Sequence, residues 1–143
     1  MNKITIIIGE YPQDCGLKKE PIEWIVLREE HHCLCMSKYL LDCKPYHDFS
    51  KNITWQSSAL RSWLYHEFLM TAFSAEEREK IVPSPVENPT GNTQDYIFLL
   101  SADEVEDYVA YEERRAFTTA YARAQGVEET DCSIRPAFWL RTS

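Results

Sequence analysis

Pro21-Ile22-Glu23-Trp24-Ile25-Val26-Leu27 decides the fold, because β-branched and aromatic residues in such a run favour a strand over a helix. Residues 33–37 could pair with this strand, and residues 29–31 would supply the connection between them. The sequence therefore predicts an antiparallel hairpin. A further strand is predicted at residues 4–8, where every position except Thr5 is isoleucine. The first forty residues are thus expected to build a sheet.

Residues 55–70 carry the clearest helical pattern in the chain. Apolar residues recur there at helical spacing and would form one buried stripe. They are Leu60, Trp63, Leu64 and Phe68. Thr54 or Ser57 is the expected N-cap.

The second half of the chain alternates between loops and short elements. Ser74 and Ser101 each precede a glutamate by three residues, which predicts two helices that begin with capping boxes. Residues 39–53 and 83–95 are expected to be ordered loops, since Pro, Gly, Asn and Asp interrupt them. Residues 96–100 predict a short buried strand, 118–125 a helical turn closed by Gly126, and 134–140 a strand or extended segment.

Size and charge limit the possible functions. A chain of 143 residues fits a single domain, here residues 1–143. The net charge of −8 repels a phosphate backbone or an anionic membrane, so we expect no direct nucleic-acid partner and no membrane association. The N-terminal apolar run is too short for a signal peptide, which predicts a cytoplasmic protein.

Cysteine usage predicts neither a disulfide framework nor a metal site. Five cysteines are an odd number, so reduced thiols and folding without an obligatory disulfide are expected. On a strand, His31, Cys33 and Cys35 would share one face and could converge on zinc. No second ligand cluster follows in the sequence, so packing is the favoured interpretation and no metal is expected.

Catalytic signatures are absent from the sequence. There is no phosphate-binding glycine loop, no H-E-x-x-H and no G-x-S-x-G, so we expect no cofactor. His66 is interpreted as a solvated surface residue of the predicted helix. An enzyme using Cys33 or Cys132 as a nucleophile stays open as an alternative.

The aromatic residues predict a core. We expect one cluster of large apolar residues from strands, helix and the region near residue 100 to be buried together. Its members are Trp24, Trp55, Leu60, Trp63, Phe68 and Leu99. The alternative is that some tryptophan lies at the surface and serves recognition.

Motifs at characteristic spacing extend through most of the chain. They include Gly9-x-Tyr11-Pro12-Gln13, Ser37-Lys38-Tyr39-x-Leu41-Asp42-Cys43, Thr54-Trp55, Phe98-Leu99-Leu100-Ser101 and Thr119-x-Tyr121-Ala122-x-Ala124-x-Gly126. In this order they resemble the bacterial and phage family called domain of unknown function 6273. That family is similar to the C-type-lectin-like superfamily. The resemblance implies an α+β fold with a small antiparallel sheet, two principal helices and long irregular loops.

The C-terminus departs from the family pattern. Cys132-Ser133-Ile134-Arg135-Pro136-Ala137-Phe138-Trp139-Leu140-Arg141 combines features of two motifs that family members keep apart. Lectin-like folds present ligands from this region. The resemblance therefore implies a shortened scaffold rather than a sugar-binding or oxidase activity.

The leading functional hypothesis is a non-enzymatic binding module with a protein partner. Loops on a rigid scaffold commonly carry recognition, so the two predicted loops are the candidate site. The candidate ligand-binding residues are Tyr46, His47, Asp48, Asn92 and Asp95. Asn and Asp also suit loops for structural reasons, because their side chains bond to nearby backbone amides. A third hypothesis is an acidic phage or prophage protein that blocks a basic site on a host nucleic-acid enzyme.

Overall fold

A five-stranded antiparallel sheet lies at the centre of the protein, as seen in a computed structural model. The structure describes residues 4–14, 18–43, 55–87, 91–125 and 133–141. In spatial order the strands are β1 (Thr5–Pro12), β2 (Lys19–Glu29), β3 (His32–Ser37), β9 (Ala137–Arg141) and β5 (Ile81–Val82).

The predicted hairpin between β2 and β3 is confirmed. Trp24 pairs with Ser37 and Val26 with Cys35, and an irregularity follows between Val26 and Arg28. Both strands are longer than expected, so Glu30 and His31 alone form the turn. The predicted first strand is also present and continues as far as Pro12.

The C-terminal strand β9 lies between β3 and β5. Phe138 pairs with Cys35 of β3, and Leu140 pairs with Ile81 of β5. The end of the described chain thus completes the interior of the sheet, through contacts between residues about a hundred positions apart.

The main helix begins later than the sequence predicts. It consists of α1 (Ala59–Trp63), a π-helical turn (Leu64–Phe68) and α2 (Leu69–Ala72). The N-cap is Ser58, whose side chain accepts a hydrogen bond from the Arg61 backbone, and Trp55 belongs to the preceding turn. The expectation of a cap at Ser57 is therefore wrong, and Thr54 lies outside the described residues.

The predicted core is largely correct. Trp24, Trp55, Leu60 and Phe68 are buried in one hydrophobic cluster. Trp63 and Leu99 are only partly buried and pack against that cluster. Trp24 is fully buried and makes an edge contact with Phe138, with ring centroids 4.6 Å apart. This contact joins the predicted hairpin to the C-terminal strand.

Short elements surround the sheet. The helices are α3 (Ala75–Lys80), α4 (Ala102–Tyr108) and α5 (Ala120–Ala124), with a 3₁₀ turn at Tyr111–Glu113. The remaining strands are β4 (Asp42–Cys43), which pairs with β8 (Ser133–Ile134), and β6 (Ser84–Val86), which pairs with β7 (Thr93–Asp95). Both predicted capping boxes are present, at Ser74 and Ser101.

Two predictions for the segment after α3 are wrong. Residues 83–95 do not form a plain loop, since β6 and β7 pair as a small two-stranded sheet. Residues 96–100 do not form a regular strand, because Phe98 makes a single bridge to Ala137. The partner of Phe98 lies far along the chain, so no local sequence pattern reveals this bridge.

The α+β class predicted from the sequence is confirmed by the mixture of an antiparallel sheet and short helices. Within the described residues, no helix combines the length and apolarity needed to span a bilayer.

Cys43 corrects the expectation of five reduced thiols. It is disulfide-bonded, whereas Cys33 and Cys35 are free. The sulfur bonded to Cys43 therefore belongs to a residue outside the described ranges. The bond adds a covalent constraint next to the β4–β8 pair.

Gly9 lies in β1 and links this strand to the first turn of α3 by a hydrogen bond. Its φ is +77°, and an added Cβ would lie 2.8 Å from the Phe73 ring, so only glycine fits here. Its backbone N–H donates to the Glu77 carboxylate at 2.9 Å. Burial raises the pKa of Glu77, but hydrogen bonds from the Ser74 and Gly9 backbones outweigh it and hold the pKa below its ordinary value.

We expect Glu77→Gln to lower the free energy of unfolding by about 1 kcal/mol at neutral pH. A carboxylate with a lowered folded-state pKa stabilises the fold above its unfolded-state pKa, and this contribution is lost as the pH falls through the folded-state pKa. The difference between wild type and variant should therefore shrink in acid, as measured by urea unfolding across pH. Glu76→Gln, in the same helical turn, is the control, and an equal pH effect there would contradict the assignment.

Cys43→Ser should lower the free energy of unfolding by about 2–4 kcal/mol, because the disulfide restricts the unfolded chain. Reductant should lower the melting temperature of the wild type and leave that of the variant unchanged. Cys33→Ser is the control, since Cys33 is free. A wild-type transition that is insensitive to reductant would show that the bond is not needed for stability.

Candidate functional site

The β6–β7 hairpin and the residues next to it border two clefts. One is about 620 Å³ and we call it the aromatic groove. Its apolar lining is Trp55, Pro85, Val86, Phe98, Leu99, Tyr108 and Trp139, and its acidic lining is Glu87, Asp103 and Glu104. The other is about 370 Å³ and we call it the polar cleft. Its main lining residues are Gln56, Arg61, Ser62, Tyr65, His66 and Gln94.

Asp95 links the walls of the two clefts. It is 5% exposed, and its Oδ2 accepts hydrogen bonds from Trp55 Nε1 at 2.8 Å and from Thr93 Oγ1 at 2.7 Å. Its Oδ1 accepts from Arg61 Nε at 2.7 Å. One carboxylate thereby fixes a tryptophan of the aromatic groove and an arginine of the polar cleft.

Of the residues that the sequence nominated for ligand binding, the structure describes two. Asp95 lines the polar cleft, while Asn92 is exposed immediately before β7 and is engaged in an interaction of its own. Tyr46, His47 and Asp48 lie outside the described residues. A binding role for these five residues stays a prediction.

The polar cleft uses a face of the main helix that the sequence did not single out. The π-helical turn adds a residue to the ordinary helical spacing and contributes Tyr65 and His66 to the cleft. Their rings meet edge to face, with centroids 4.9 Å apart. His66 is exposed, as expected, but it is part of a cleft rather than of an open helix surface.

The aromatic groove draws on parts of the chain that are far apart. Trp55 and Phe98 are buried in its floor, whereas Pro85, Glu87 and Asp103 are exposed around it. No local sequence motif contains this groove, so the sequence did not predict it. The available signal was the excess of large aromatic residues, for which surface recognition was the open alternative.

Tyr108 shows that an aromatic ring beside the groove already attracts a cation. The Arg28 guanidinium lies 4.8 Å from the centroid of the Tyr108 ring. Aromatic faces attract cations through their quadrupole, and nearby carboxylates strengthen that attraction. The groove therefore combines apolar contact area with carboxylates in its lining.

The described thiols lack the properties of a nucleophile. Burial raises the pKa of Cys35 to about 12, and burial together with Glu29 raises the pKa of Cys33. A reactive cysteine needs the opposite shift. Cys132 lies outside the described residues.

Metal-ligand geometry is not found in the described part of the chain. No group of three or more His, Cys, Asp or Glu residues there is placed to hold an ion. Within His31-His32-Cys33-Leu34-Cys35, Cys35 is fully buried in the core and Cys33 is only partly buried.

A buried phenol and a buried carboxylate form a pair apart from the two clefts. Tyr11 donates a hydrogen bond to Asp42, and Asp42 Oδ1 accepts one from the Cys43 backbone at 2.7 Å. Burial and this hydrogen bond raise the pKa of Tyr11, so its hydroxyl stays protonated. The pair joins β1 to β4 and has a structural role.

Asp95→Asn should lower the free energy of unfolding by about 2–4 kcal/mol, because it removes the charge partner of Arg61 and weakens three hydrogen bonds. Chemical unfolding measures the change. Asp103→Asn is the matched control, because Asp103 is exposed and should change stability little. Equal effects of the two substitutions would contradict the role assigned to Asp95.

Comparison with known proteins places this architecture in a family. No curated protein and no solved structure matches the chain. A family model described as Domain of unknown function (DUF6273) matches residues 30–142, which contain the main helix, both clefts and the C-terminal strand. The chain therefore belongs to the DUF6273 family.

Proposed function

We propose that the protein is a non-enzymatic binding module whose aromatic groove takes a basic peptide segment of a partner protein. The segment would insert an aromatic or branched aliphatic side chain between flanking Lys or Arg residues. The observation that carries the proposal is the combination of half-buried aromatics and exposed carboxylates in one groove.

The apolar surface supplies the affinity. Tyr108, Trp139 and Leu99 are only partly buried, so a ligand side chain can remove further area from water. Aromatic residues of this kind are enriched among residues that dominate binding energy. The groove volume lies within the range of ordinary ligand sites.

The charge distribution supplies the choice of partner. Glu87 and Asp103 are exposed at the groove, and the whole chain carries a net charge of −8. Both attract a basic segment and repel an acidic one, and a field of this kind also raises the association rate.

A rigid frame limits the entropy lost on binding. The Trp55 indole is held by Asp95 at 2.8 Å, and Ser101 and Glu104 are held by the capping box of α4. Side chains that are already ordered lose less freedom when a ligand binds.

A second candidate is the acidic protein that occupies a basic site on a host nucleic-acid enzyme. The exposed acids on one short helix, Asp103, Glu106 and Asp107, support it. It differs from the first candidate because charge rather than the groove would dominate. A thiol-dependent enzyme receives no such support, since the pKa values of Cys33 and Cys35 are raised.

The finer classification is also a proposal. A C-type-lectin-like scaffold from a bacterium or phage is supported by the antiparallel sheet, the flanking helices and the return of β9 to the sheet interior. A cytoplasmic location stays a prediction, and the disulfide at Cys43 is more typical of oxidising compartments.

A displayed library of random peptides tests the binding proposal. Selection on the wild-type protein should enrich peptides with Trp, Phe or Leu beside Lys or Arg, because the groove offers both chemistries. Asp103→Lys should weaken the affinity for the enriched peptides by about tenfold or more, which corresponds to the loss of a close charge contact. Asp107→Lys reverses an equally exposed acid of α4 that does not line the groove.

Each outcome of this comparison is decisive. A loss of peptide affinity that is confined to Asp103→Lys supports binding in the aromatic groove. Equal losses in both variants overturn it in favour of the charge-dominated candidate. Enrichment of acidic peptides, or of none, overturns both.

A further inference from the structure

We infer that the polar cleft is a second binding site, which takes a small ligand through its carboxylate or phosphate group. The inference goes beyond the proposed function, since it concerns a different cleft and different residues. Its centre is the guanidinium of Arg61, held in place from behind by Asp95 and open to the cleft in front.

Arg61 has donor capacity to spare. Its Nε–H donates to Asp95, and its two terminal nitrogens make only long contacts, at 3.3 Å to the Gln56 carbonyl and 3.5 Å to the Gln94 carbonyl. A guanidinium carries five N–H groups, so two remain that no described residue accepts. The long contacts are weak enough for a ligand oxygen to replace them.

The orientation of the guanidinium is fixed before any ligand arrives. The carboxylate of Asp95 is almost completely buried and is itself held by Trp55 and Thr93. A planar guanidinium held by its Nε edge presents its terminal nitrogens as a fork. Carboxylates and phosphates accept two parallel hydrogen bonds from such a fork.

The other cleft residues provide the remaining contacts that such a ligand needs. His66 has a ring N–H donor in either protonation state, and Ser62 has a hydroxyl that can donate. Both are exposed within the cleft. The flat side of Tyr65, which is 47% exposed, offers a surface for the body of the ligand.

Gly91 lies close to the side chain of Gln56, a residue that lines the polar cleft. A Cβ at this position would lie 2.9 Å from Oε1 of Gln56, and its φ is +146°. The absence of a side chain lets the Gln56 amide pack against the backbone next to the cleft.

The net negative charge of the protein opposes nonspecific binding of anions. With a net charge of −8, the protein repels anions in general, so saturable anion binding requires a local site. Asp95 cancels part of the Arg61 charge, so affinity must come from directed hydrogen bonds more than from net charge. A simple oxyanion is therefore a suitable probe, because it tests those bonds alone.

The experiment follows the backbone and Arg Nε signals by NMR while inorganic phosphate, acetate or chloride is added at matched ionic strength. We expect saturable shifts of Arg61, His66 and Gln94 with phosphate or acetate and none with chloride. Tighter phosphate binding identifies a phosphate-bearing ligand, and tighter acetate binding identifies a carboxylate-bearing one.

Gln94→Glu is the decisive variant. It places a carboxylate beside Arg61 at an exposed position, leaves the Arg61–Asp95 pair intact, and should weaken oxyanion binding by at least about tenfold. Gln125→Glu adds the same charge at another exposed position outside the cleft and should have no effect. Arg61→Gln should abolish binding, with its thermal transition measured to establish that it folds.

Absence of saturable binding in the wild type, equal shifts with chloride, or unchanged affinity in Gln94→Glu would each overturn the inference. None of these results affects the aromatic groove, whose test uses peptides and substitutions on α4.

Discussion

The pairing of β9 between β3 and β5 is the constraint on which the rest of the structure depends. It brings Phe138 beside Cys35 and Leu140 beside Ile81, so the two halves of the chain share one sheet. Without β9 the sheet would end at β3, and β5 would have no strand to pair with in it. The loop that such pairing closes is long, and its entropic cost must be met by burial of apolar surface.

Aromatic contacts provide that burial. Trp24 and Phe138 meet at 4.6 Å, and Phe73 contacts both rings at 6.0 and 5.8 Å. These residues come from the hairpin, the C-terminal strand and the turn after the main helix. The two contacts of Phe138 are edge to face, and such packing contributes beyond the buried area alone and orients the elements relative to one another. The core thereby fixes the positions of the segments that line the two clefts.

The clefts depend on a polar interaction placed on this scaffold. Asp95 holds Trp55 on one side and Arg61 on the other, so a single buried carboxylate organises the walls of both clefts. The two clefts differ in chemistry, since one combines aromatic rings with acids and the other presents guanidinium donors. A substitution at Asp95 would disturb both clefts. A substitution at Asp103 would affect the aromatic groove alone, and one at Gln94 the polar cleft alone.

The amino-acid sequence by itself determined the local elements. The hairpin, the apolar stripe at Leu60, Leu64 and Phe68, and the capping boxes at Ser74 and Ser101 follow from periodicity and from side-chain hydrogen bonds within one turn. Family motifs added the α+β class. These features depend on neighbours within a few residues, so a linear pattern is enough to reveal them.

Tertiary structure alone decided the sites. Three features have no local signature. They are the π-helical turn that contributes Tyr65 and His66 to a cleft, the pairing of β6 with β7, and the hydrogen bonds from Trp55 and Arg61 to Asp95. Asp95 was predicted as a ligand-binding loop residue, yet whether a loop carboxylate faces solvent or bonds to Trp55 and Arg61 depends on segments more than thirty residues away. Side chains from separate segments acquire a common function only after packing has fixed their distances and removed water from between them.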